Sequence, residues 1–179
     1  MMAQSPYTEI KMNLESFKSL VISIDEEKIK KLSTALASRE KVIVIGNGGS
    51  NAIASHISVD YTKLLRKKCL TFSDASMLTC FMNDEGVENA YKEYLSNFAD
   101  EETLTILISS SGNSPNIYQA ALYCKNNNIP FIILTGFSET NKVHSNFADD
   151  ALLDIWVDSK SYAIVECLHM IYLHAVVDV

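Results

Sequence analysis

The chain has 179 residues, of which 47% are hydrophobic and 21% are charged, a composition typical of one globular domain with a sizeable core. Its formal net charge of -7 argues against a nucleic-acid-binding protein, which would carry a basic patch. The four cysteines lack paired metal spacing, the start lacks a signal-peptide pattern, and no apolar run reaches membrane-spanning length, so we expect a reduced, cytoplasmic protein outside the membrane.

Two helices are predicted for residues 1–40, because apolar residues recur there at helical spacing. Strand-like runs follow, separated by segments long enough for crossover helices. This alternation predicts a parallel sheet covered on both faces, with the ligand site beyond the carboxyl ends of the strands. We therefore expect residues 1–179 to form a single domain, with an α/β core at 41–179. The predicted strands are 41–46, 69–73, 103–109, 130–136 and 152–158.

The first candidate site is 46-GNGGS-50, directly after the first predicted strand. A dinucleotide-binding fingerprint would need a third glycine at position 51, which is Asn, and no phosphate-loop Gly-Lys-Ser/Thr is present. The glycine turn allows close backbone approach, and Ser50 is the predicted cap of the next helix. His56 and Asp60 share a face of that helix and can converge on one metal ion or substrate, although such a pair is more often a surface hydrogen bond.

The second candidate site is the loop 109-SSSGNS-114, which follows the strand at 103–109. Pro115 predicts the start of a helix, and Ser114 before it is a preferred N-cap residue. The amino end of a helix is electropositive, and the serine hydroxyls lie in the loop that leads to it. We interpret this segment as a phosphate-binding loop. The alternative is an ordinary strand-to-helix loop in which serines only cap and turn.

The last predicted helix carries three ionisable residues beside an apolar stripe. Glu166 and His169 are one turn apart, whereas Glu166 and His174 are roughly two turns apart. The two histidines point in different directions. Spacing alone leaves open which of them works with Glu166, and we expect the other to be structural.

Taken together, GNGGS with His56 and Asp60, the later SSSGNS, 134-LTG-136 and 166-ECLHMIYLH-174 resemble the SIS (sugar isomerase) domain, specifically its bacterial phosphoheptose isomerase branch. The similarity covers roughly residues 40 to 176. It implies a flavodoxin-like, three-layer αβα sandwich around a five-stranded parallel sheet. It also implies a homotetramer with active sites at subunit interfaces, and the helices at 1–40 fit the family's helical extension, which serves oligomerisation.

The resemblance also implies roles for individual residues. Asp60 falls at the position of the family's catalytic glutamate, and His174 at that of its catalytic histidine. Zinc-binding members use the positions of His56, Asp60, Glu166 and His174, so one zinc ion per site and no nucleotide cofactor are expected. Phosphate contacts fall on Ser109, Ser110, Ser111 and Ser114, and further substrate contacts on Asn47, Gly48, Gly49, Ser50, Asn83, Asp84 and Glu166.

Several residues depart from the family pattern. Asp60 is one methylene shorter than the family's Glu, and Glu166 replaces a Gln. The family's Asp-Arg pair falls on Ala163 and Ile164, and an Arg falls on Leu64. These differences remove polar contacts and predict a changed or smaller substrate, or weakened activity.

The expected function is aldose–ketose isomerisation of a phosphosugar through an enediol, namely of sedoheptulose 7-phosphate to D-glycero-D-manno-heptose 7-phosphate for lipopolysaccharide or capsule heptose synthesis. One alternative is a non-catalytic SIS module that binds a phosphosugar or a protein, as in replication-initiator-associating members. Another is an isomerase of a different phosphosugar. No nucleic-acid or membrane partner is expected.

Overall fold

The computed structural model describes residues 6–177, with side chains from residue 14 onward. Eight helices and five strands alternate along this part of the chain. The strands are β1 Lys41–Gly46, β2 Lys68–Thr71, β3 Thr103–Ser109, β4 Phe131–Gly136 and β5 Leu153–Val157. The helices are α1 Pro6–Ile22, α2 Glu26–Ala37, α3 Gly49–Lys63, α4 Ala75–Asp84, α5 Ala90–Phe98, α6 Pro115–Asn126, α7 Lys142–Phe147 and α8 Tyr162–His174.

The strands form one parallel sheet in the order β2-β1-β3-β4-β5. Each observed strand lies within two residues of a predicted run, because short β-branched segments between turn residues suit a covered sheet. This order is the flavodoxin-like one. The predicted αβα sandwich with a five-stranded parallel sheet is therefore confirmed.

Alternate residues of the strands supply two apolar layers, since successive side chains of a strand point to opposite faces. On one face, Val44 and Ile106 pack with Leu32 of α2, Ile57 of α3 and Leu173 of α8. The opposite layer packs against α4 to α7 and contains, among others, Ile45, Leu107, Ile133, Tyr91, Ile117 and Phe147. Burial of each such side chain stabilises the fold by roughly 1.5–3 kcal/mol.

In this order β2 lies beside β1 and β4 lies beside β3, on opposite sides of the β1–β3 pair. The connections that follow β1 and β3 therefore lead toward opposite edges of the sheet. Gly46 at the end of β1 pairs with Ile108 near the end of β3. The segments that follow these ends are the two candidate loops, and parallel sheets bind ligands at this kind of switch point. None of the helices within residues 6–177 combines the length and the apolar character needed to cross a lipid bilayer.

Candidate active site

The serine loop connects β3 to α6, and its hydroxyls contact one another. Ser114 precedes α6 as predicted, but its hydroxyl accepts a hydrogen bond from Ser109 at 3.1 Å and makes no cap contact to the helix. Ser110 Oγ lies 3.3 Å from Ser50 Oγ in the neighbouring loop. Ser114 thus does not cap α6, although the Ile117 amide in the first turn donates to the Asn116 side chain at 3.0 Å. The electropositive amino end of the helix still favours an anion.

Gly112 allows the serine loop to turn sharply against α7. Its φ of +65° is in the region that favours glycine, and a Cβ there would clash with the side chain of Asn141. Asn141 is the N-cap residue of α7, and its amide also donates to the carbonyls of Gly136 and Ser138. The Val143 amide donates to the Gly112 carbonyl at 2.9 Å. These contacts hold the serine loop against the start of α7 and the end of β4.

The glycine turn after β1 differs from the prediction in where its helix begins. Helix α3 starts at Gly49, and its N-cap residue is Gly48, with a φ of +53°. The prediction that Ser50 caps this helix is therefore wrong, because the freedom of Gly48 lets the helix start earlier. Ser50 lies in the first turn instead, where it is buried and faces Ser110.

Asn47 is held in place by two residues that are distant in sequence. The Tyr91 hydroxyl can donate its one hydrogen either to the Asn47 side-chain oxygen at 2.8 Å or to the Gly46 carbonyl at 2.7 Å. The Asn116 side chain exchanges hydrogen bonds with the Asn47 amide at 2.9 Å. Burial raises the pKa of Tyr91 to about 12, so its hydroxyl remains a donor. The Asn47 side chain is therefore fixed before any ligand binds.

The two loops enclose a cavity of about 230 Å³. Glu166 of α8 also lines it, and a Cβ at Gly49 would lie 2.6 Å from the Glu166 carboxyl carbon, so only glycine leaves room for this carboxylate. Nine of the predicted substrate-contact positions therefore lie around one cavity. The cavity is lined by Asn47, Gly48, Gly49, Ser50, Ile108, Ser109, Ser110, Ser111, Ser114, Tyr162 and Glu166.

A second group of predicted residues lies farther along α3 and α8. His174 Nε2 is 3.0 Å from Asp60 Oδ2, and His56 Nε2 is 3.5 Å from the same oxygen. The two imidazoles meet edge to face with centroids 5.0 Å apart. One ligand atom from each of the three residues lies within 4.8 Å of the others, so the group could hold a divalent cation. We call His56, Asp60 and His174 the histidine cluster.

His169 takes no part in either group. It is fully buried, and its Nε2 donates to the Thr135 carbonyl at 3.0 Å. Desolvation lowers the pKa of His169 from 6.5 to about 4, against the opposing effect of this hydrogen bond. His169 is a neutral packing residue that joins α8 to the end of β4.

The cavity and the histidine cluster lie at opposite ends of two parallel helices. Glu166 contacts Gly49 at the start of α3, and Tyr61 near the end of α3 donates to the carbonyl of Leu173. Glu166 and His174 are eight residues apart on α8, which is about 12 Å of helix length. Within one chain, Glu166 consequently lies with the serine loop and apart from the histidine cluster.

Asn83 and Asp84 lie in neither group. Both are exposed at the end of α4, where Asn83 donates to the Asp84 carboxylate at 2.8 Å. This hydrogen bond is the main reason that the pKa of Asp84 is lowered.

Three further residues belong to the site but were not predicted from the sequence. Tyr91 and Asn116 orient Asn47, and Tyr162 lines the cavity. The helical spacing of Tyr91 with Tyr94 and Phe98 is typical of packing residues and gives no indication of the Tyr91 hydroxyl contact. Tyr162 directly precedes the positions at which the family's Asp-Arg pair is absent, and this is the one signal that could have identified it.

Comparison with known proteins gives consistent matches. The SIS domain model matches residues 14–136. The phosphoheptose isomerase of Fusobacterium nucleatum is 29% identical over 158 residues, with coverage of 86% of this chain and 79% of that protein. The phosphoheptose isomerase of Sulfurimonas denitrificans is 31% identical over 179 residues, with coverage of 96% and 88%.

A solved structure agrees with these matches at the level of the fold. The phosphoheptose isomerase of Neisseria gonorrhoeae superposes with a TM-score of 0.87 and 21% sequence identity, over 97% of this chain and 98% of that one. The serine loop, the glycine turn and the ionisable residues of α3 and α8 occur here within that fold. The chain belongs to the SIS domain family, in its phosphoheptose isomerase branch.

Proposed function

We propose that the chain is a phosphosugar aldose–ketose isomerase that converts sedoheptulose 7-phosphate to D-glycero-D-manno-heptose 7-phosphate. The observation that carries this proposal is the 3.0 Å contact between His174 and Asp60, in a chain whose relatives are named phosphoheptose isomerases. A non-catalytic binding module would have no use for a carboxylate and an imidazole in contact at these two positions. Their retention supports an enzyme.

The serine loop is the proposed phosphate site. Ser109, Ser110, Ser111 and Ser114 line the cavity, and hydroxyl groups can donate to the phosphate oxygens. The amino end of α6 adds the positive end of a helix dipole. Because no lysine or arginine lines this cavity among the described residues, the hydroxyls and helix ends would carry phosphate binding.

Asp60 and His174 are the proposed acid–base pair. Both histidine contacts of Asp60 use Oδ2, which leaves Oδ1 to remove the proton beside the substrate carbonyl. His174 donates through Nε2 to this carboxylate, so its Nδ1 can accept a proton and return it to the neighbouring oxygen. These two transfers give an enediol, and return of the proton from Asp60 to the former carbonyl carbon, with loss of the proton from the other oxygen, completes the conversion of the ketose to the aldose.

The histidine cluster is also the proposed zinc site. Two imidazoles and one carboxylate suit zinc, and the spacing of their ligand atoms supports this assignment. When bound, the ion would stabilise negative charge on the two substrate oxygens. Glu166 is the proposed fourth ligand, and as a carboxylate in place of a glutamine it should strengthen cation binding.

The distance between the cavity and the histidine cluster supports a site built from two subunits. An offset of about 12 Å along α8 is too long for one metal ion to be held by Glu166 and by the histidine cluster of the same chain. We therefore propose that the cavity, with Glu166, faces the histidine cluster of a neighbouring chain in a homotetramer. Helices α1 and α2 are proposed to serve the same assembly.

We further propose that this reaction takes place in the cytoplasm, in heptose synthesis for lipopolysaccharide or capsule. A different phosphosugar is the second candidate substrate. Ala163 and Leu64 are exposed and stand where the family has an acidic and a basic residue. The absence of these two charged side chains favours a smaller or less polar sugar.

The experiment is to incubate the purified protein with sedoheptulose 7-phosphate, with and without added zinc, and to follow the products by NMR. We expect an aldoheptose 7-phosphate to form, faster with zinc. Saturable binding without conversion would contradict isomerisation of this sugar. A panel of ketose phosphates would then separate a different substrate from a non-catalytic module.

A further inference from the structure

Tyr162 is the single aromatic side chain among the described residues that line the cavity. It is the first residue of α8 and is 57% exposed, whereas Tyr61, Tyr91 and Tyr94 are buried. Large aromatic residues contribute to the core when they are buried, and they contact ligands when they stand beside a polar cavity. The position of Tyr162 at the mouth of the serine-lined cavity fits the second role.

Phe137 holds the ring of Tyr162 in place. The two rings meet edge to face, with centroids 4.7 Å apart and an interplanar angle of 66°. Phe137 follows β4 and has a φ of +61°, a conformation that side-chain-bearing residues rarely adopt. Its amide donates to the Ser159 carbonyl in the loop before α8. A strained backbone is thus maintained at the position that supports Tyr162.

The support for Tyr162 is continuous with the phosphate loop. A Cβ at Gly136 would lie 2.8 Å from Cγ1 of Val165 and 3.0 Å from the Ser110 carbonyl oxygen. The end of β4, the first turn of α8 and the serine loop are therefore in close contact. This packing sets the position of the first turn of α8, which carries Tyr162, relative to the serine loop.

We propose that the face of the Tyr162 ring, supported by Phe137, contacts the carbon chain of the bound phosphosugar and selects phosphosugars over phosphate alone. The proposal rests on the proposed function for the class of ligand. The serine hydroxyls would recognise the phosphate, which is common to all such ligands and so gives no selection among them. The C–H groups of a sugar are apolar enough to pack on an aromatic face, and neighbouring Ala163 offers no polar contact.

The test compares the binding of sedoheptulose 7-phosphate and of inorganic phosphate by calorimetry, with the full chain. Replacement Tyr162→Ala should weaken phosphosugar binding about tenfold, as expected for loss of about 50 Å² of apolar contact, and leave phosphate binding within about twofold. Tyr162→Phe keeps the ring and should retain phosphosugar binding within about twofold. In turnover assays, Tyr162→Ala should raise KM more than it lowers kcat.

The support by Phe137 is tested with a glycine substitution that the backbone can accept. Phe137→Gly should weaken phosphosugar binding about threefold, because the Tyr162 ring loses its neighbour. Arg66→Gly is the matched control, since Arg66 has a similar φ of +57° in the loop after α3. Leu152→Ala removes another exposed large side chain, before β5, and should also leave binding unchanged.

Three results would overturn the proposal. In Tyr162→Ala, the affinities for phosphosugar and for phosphate could fall equally, or neither affinity could fall. A wild-type chain that binds phosphosugar no more tightly than phosphate would also overturn it. The outcome is separable from that of the proposed function. If the wild-type chain binds the phosphosugar without converting it, the proposed isomerase activity is contradicted. The ratio of the affinities for phosphosugar and phosphate still tests the binding role of Tyr162.

Discussion

Two histidine–aspartate pairs in this molecule have the same contact distance and different surroundings. His174 lies 3.0 Å from Asp60, and His144 lies 3.0 Å from Asp154. A second imidazole, that of His56, stands beside the Asp60 pair and is 55% exposed. The first pair therefore has a third potential ligand and access to solvent.

The His144 pair joins α7 to β5, the edge strand of the sheet. Asp154 and Trp156 are two residues apart on β5 and share a face, and the Trp156 ring centroid lies 6.1 Å from that of His144. The Asp154 side chain is 17% exposed, close to the 20% of Asp60, but His144 is 20% exposed whereas His174 is 33% exposed. The distances are equal, yet His174 Nε2 forms a hydrogen bond with Asp60 while His144 Nδ1 forms none with any described residue. Hydrogen-bond geometry, neighbouring residues and access to solvent therefore distinguish the candidate acid–base pair from the structural contact.

The largest expected difference between the two pairs is their effect on turnover. His174→Gln should lower kcat about 10³-fold, because it removes a group that moves a proton in the reaction. His144→Gln is the matched control and should retain turnover within about twofold, since it loses only a contact between α7 and β5. Initial rates of sedoheptulose 7-phosphate conversion would measure both. Equal losses in the two variants would abolish the functional distinction between the pairs.

His169 has no aspartate partner among the described residues, and we expect it to make the free energy of unfolding depend on pH. Its pKa of about 4 in the folded chain lies below its unfolded value, so the unfolded chain binds the extra proton between pH 6.5 and pH 4. The free energy of unfolding should therefore fall as the pH drops through this window, by about 3 kcal/mol from this residue.

Urea denaturation at several pH values would measure this contribution as the difference between the wild-type chain and His169→Gln. The variant can still donate to the Thr135 carbonyl but has no imidazole to protonate. The His169 NMR signal should also stay unshifted as the pH falls to 5. An imidazole signal that titrates near pH 6.5 would show that the residue is accessible to solvent.

Stability should rank the two pairs in the reverse order to turnover. Asp154→Asn should lower the free energy of unfolding by about 2 kcal/mol, because it leaves His144 without its carboxylate at a largely buried position. Asp60→Asn should cost less than about 1 kcal/mol, since its imidazole partners His174 and His56 are 33% and 55% exposed, against 20% for His144. Urea titrations at pH 7 would compare them. A more destabilising change at Asp60 would make that pair the structural one.

Zinc affinity gives the smallest expected difference. His56→Ala should weaken zinc binding about tenfold, because one of the four proposed ligands is lost, and His144→Ala should leave it unchanged. Competition with a chromophoric chelator measures the affinity without any substrate. Unchanged affinity in His56→Ala would place the ion outside the histidine cluster.

Most of the fold could be predicted from local patterns. The run at 103–109 is continuous, apolar and ended by serines, and β3 has the same bounds. Pro115 marked the first residue of α6 correctly. The N-cap at Ser50 was predicted wrongly, because a glycine with positive φ can begin a helix earlier than a preferred cap residue.

The site could be predicted only where its residues share a helix or a loop. The spacing of His56 and Asp60 placed them on one face, but it could not choose between His169 and His174, since that choice depends on what surrounds α8. Tyr91 is 44 residues from Asn47, so no local spacing could indicate their hydrogen bond. Contacts of this kind arise from the packing of separate elements.

The parallel course of α3 and α8 has a consequence for mixtures of inactive variants. If each site takes its cavity from one chain and its histidine cluster from another, a chain with Ser109→Ala and Ser111→Ala and a chain with His174→Gln carry complementary defects. After equal mixing and reassembly, about one quarter of the sites would combine two intact halves. Two preparations that are each inactive would regain activity together, and only through the exchange of subunits.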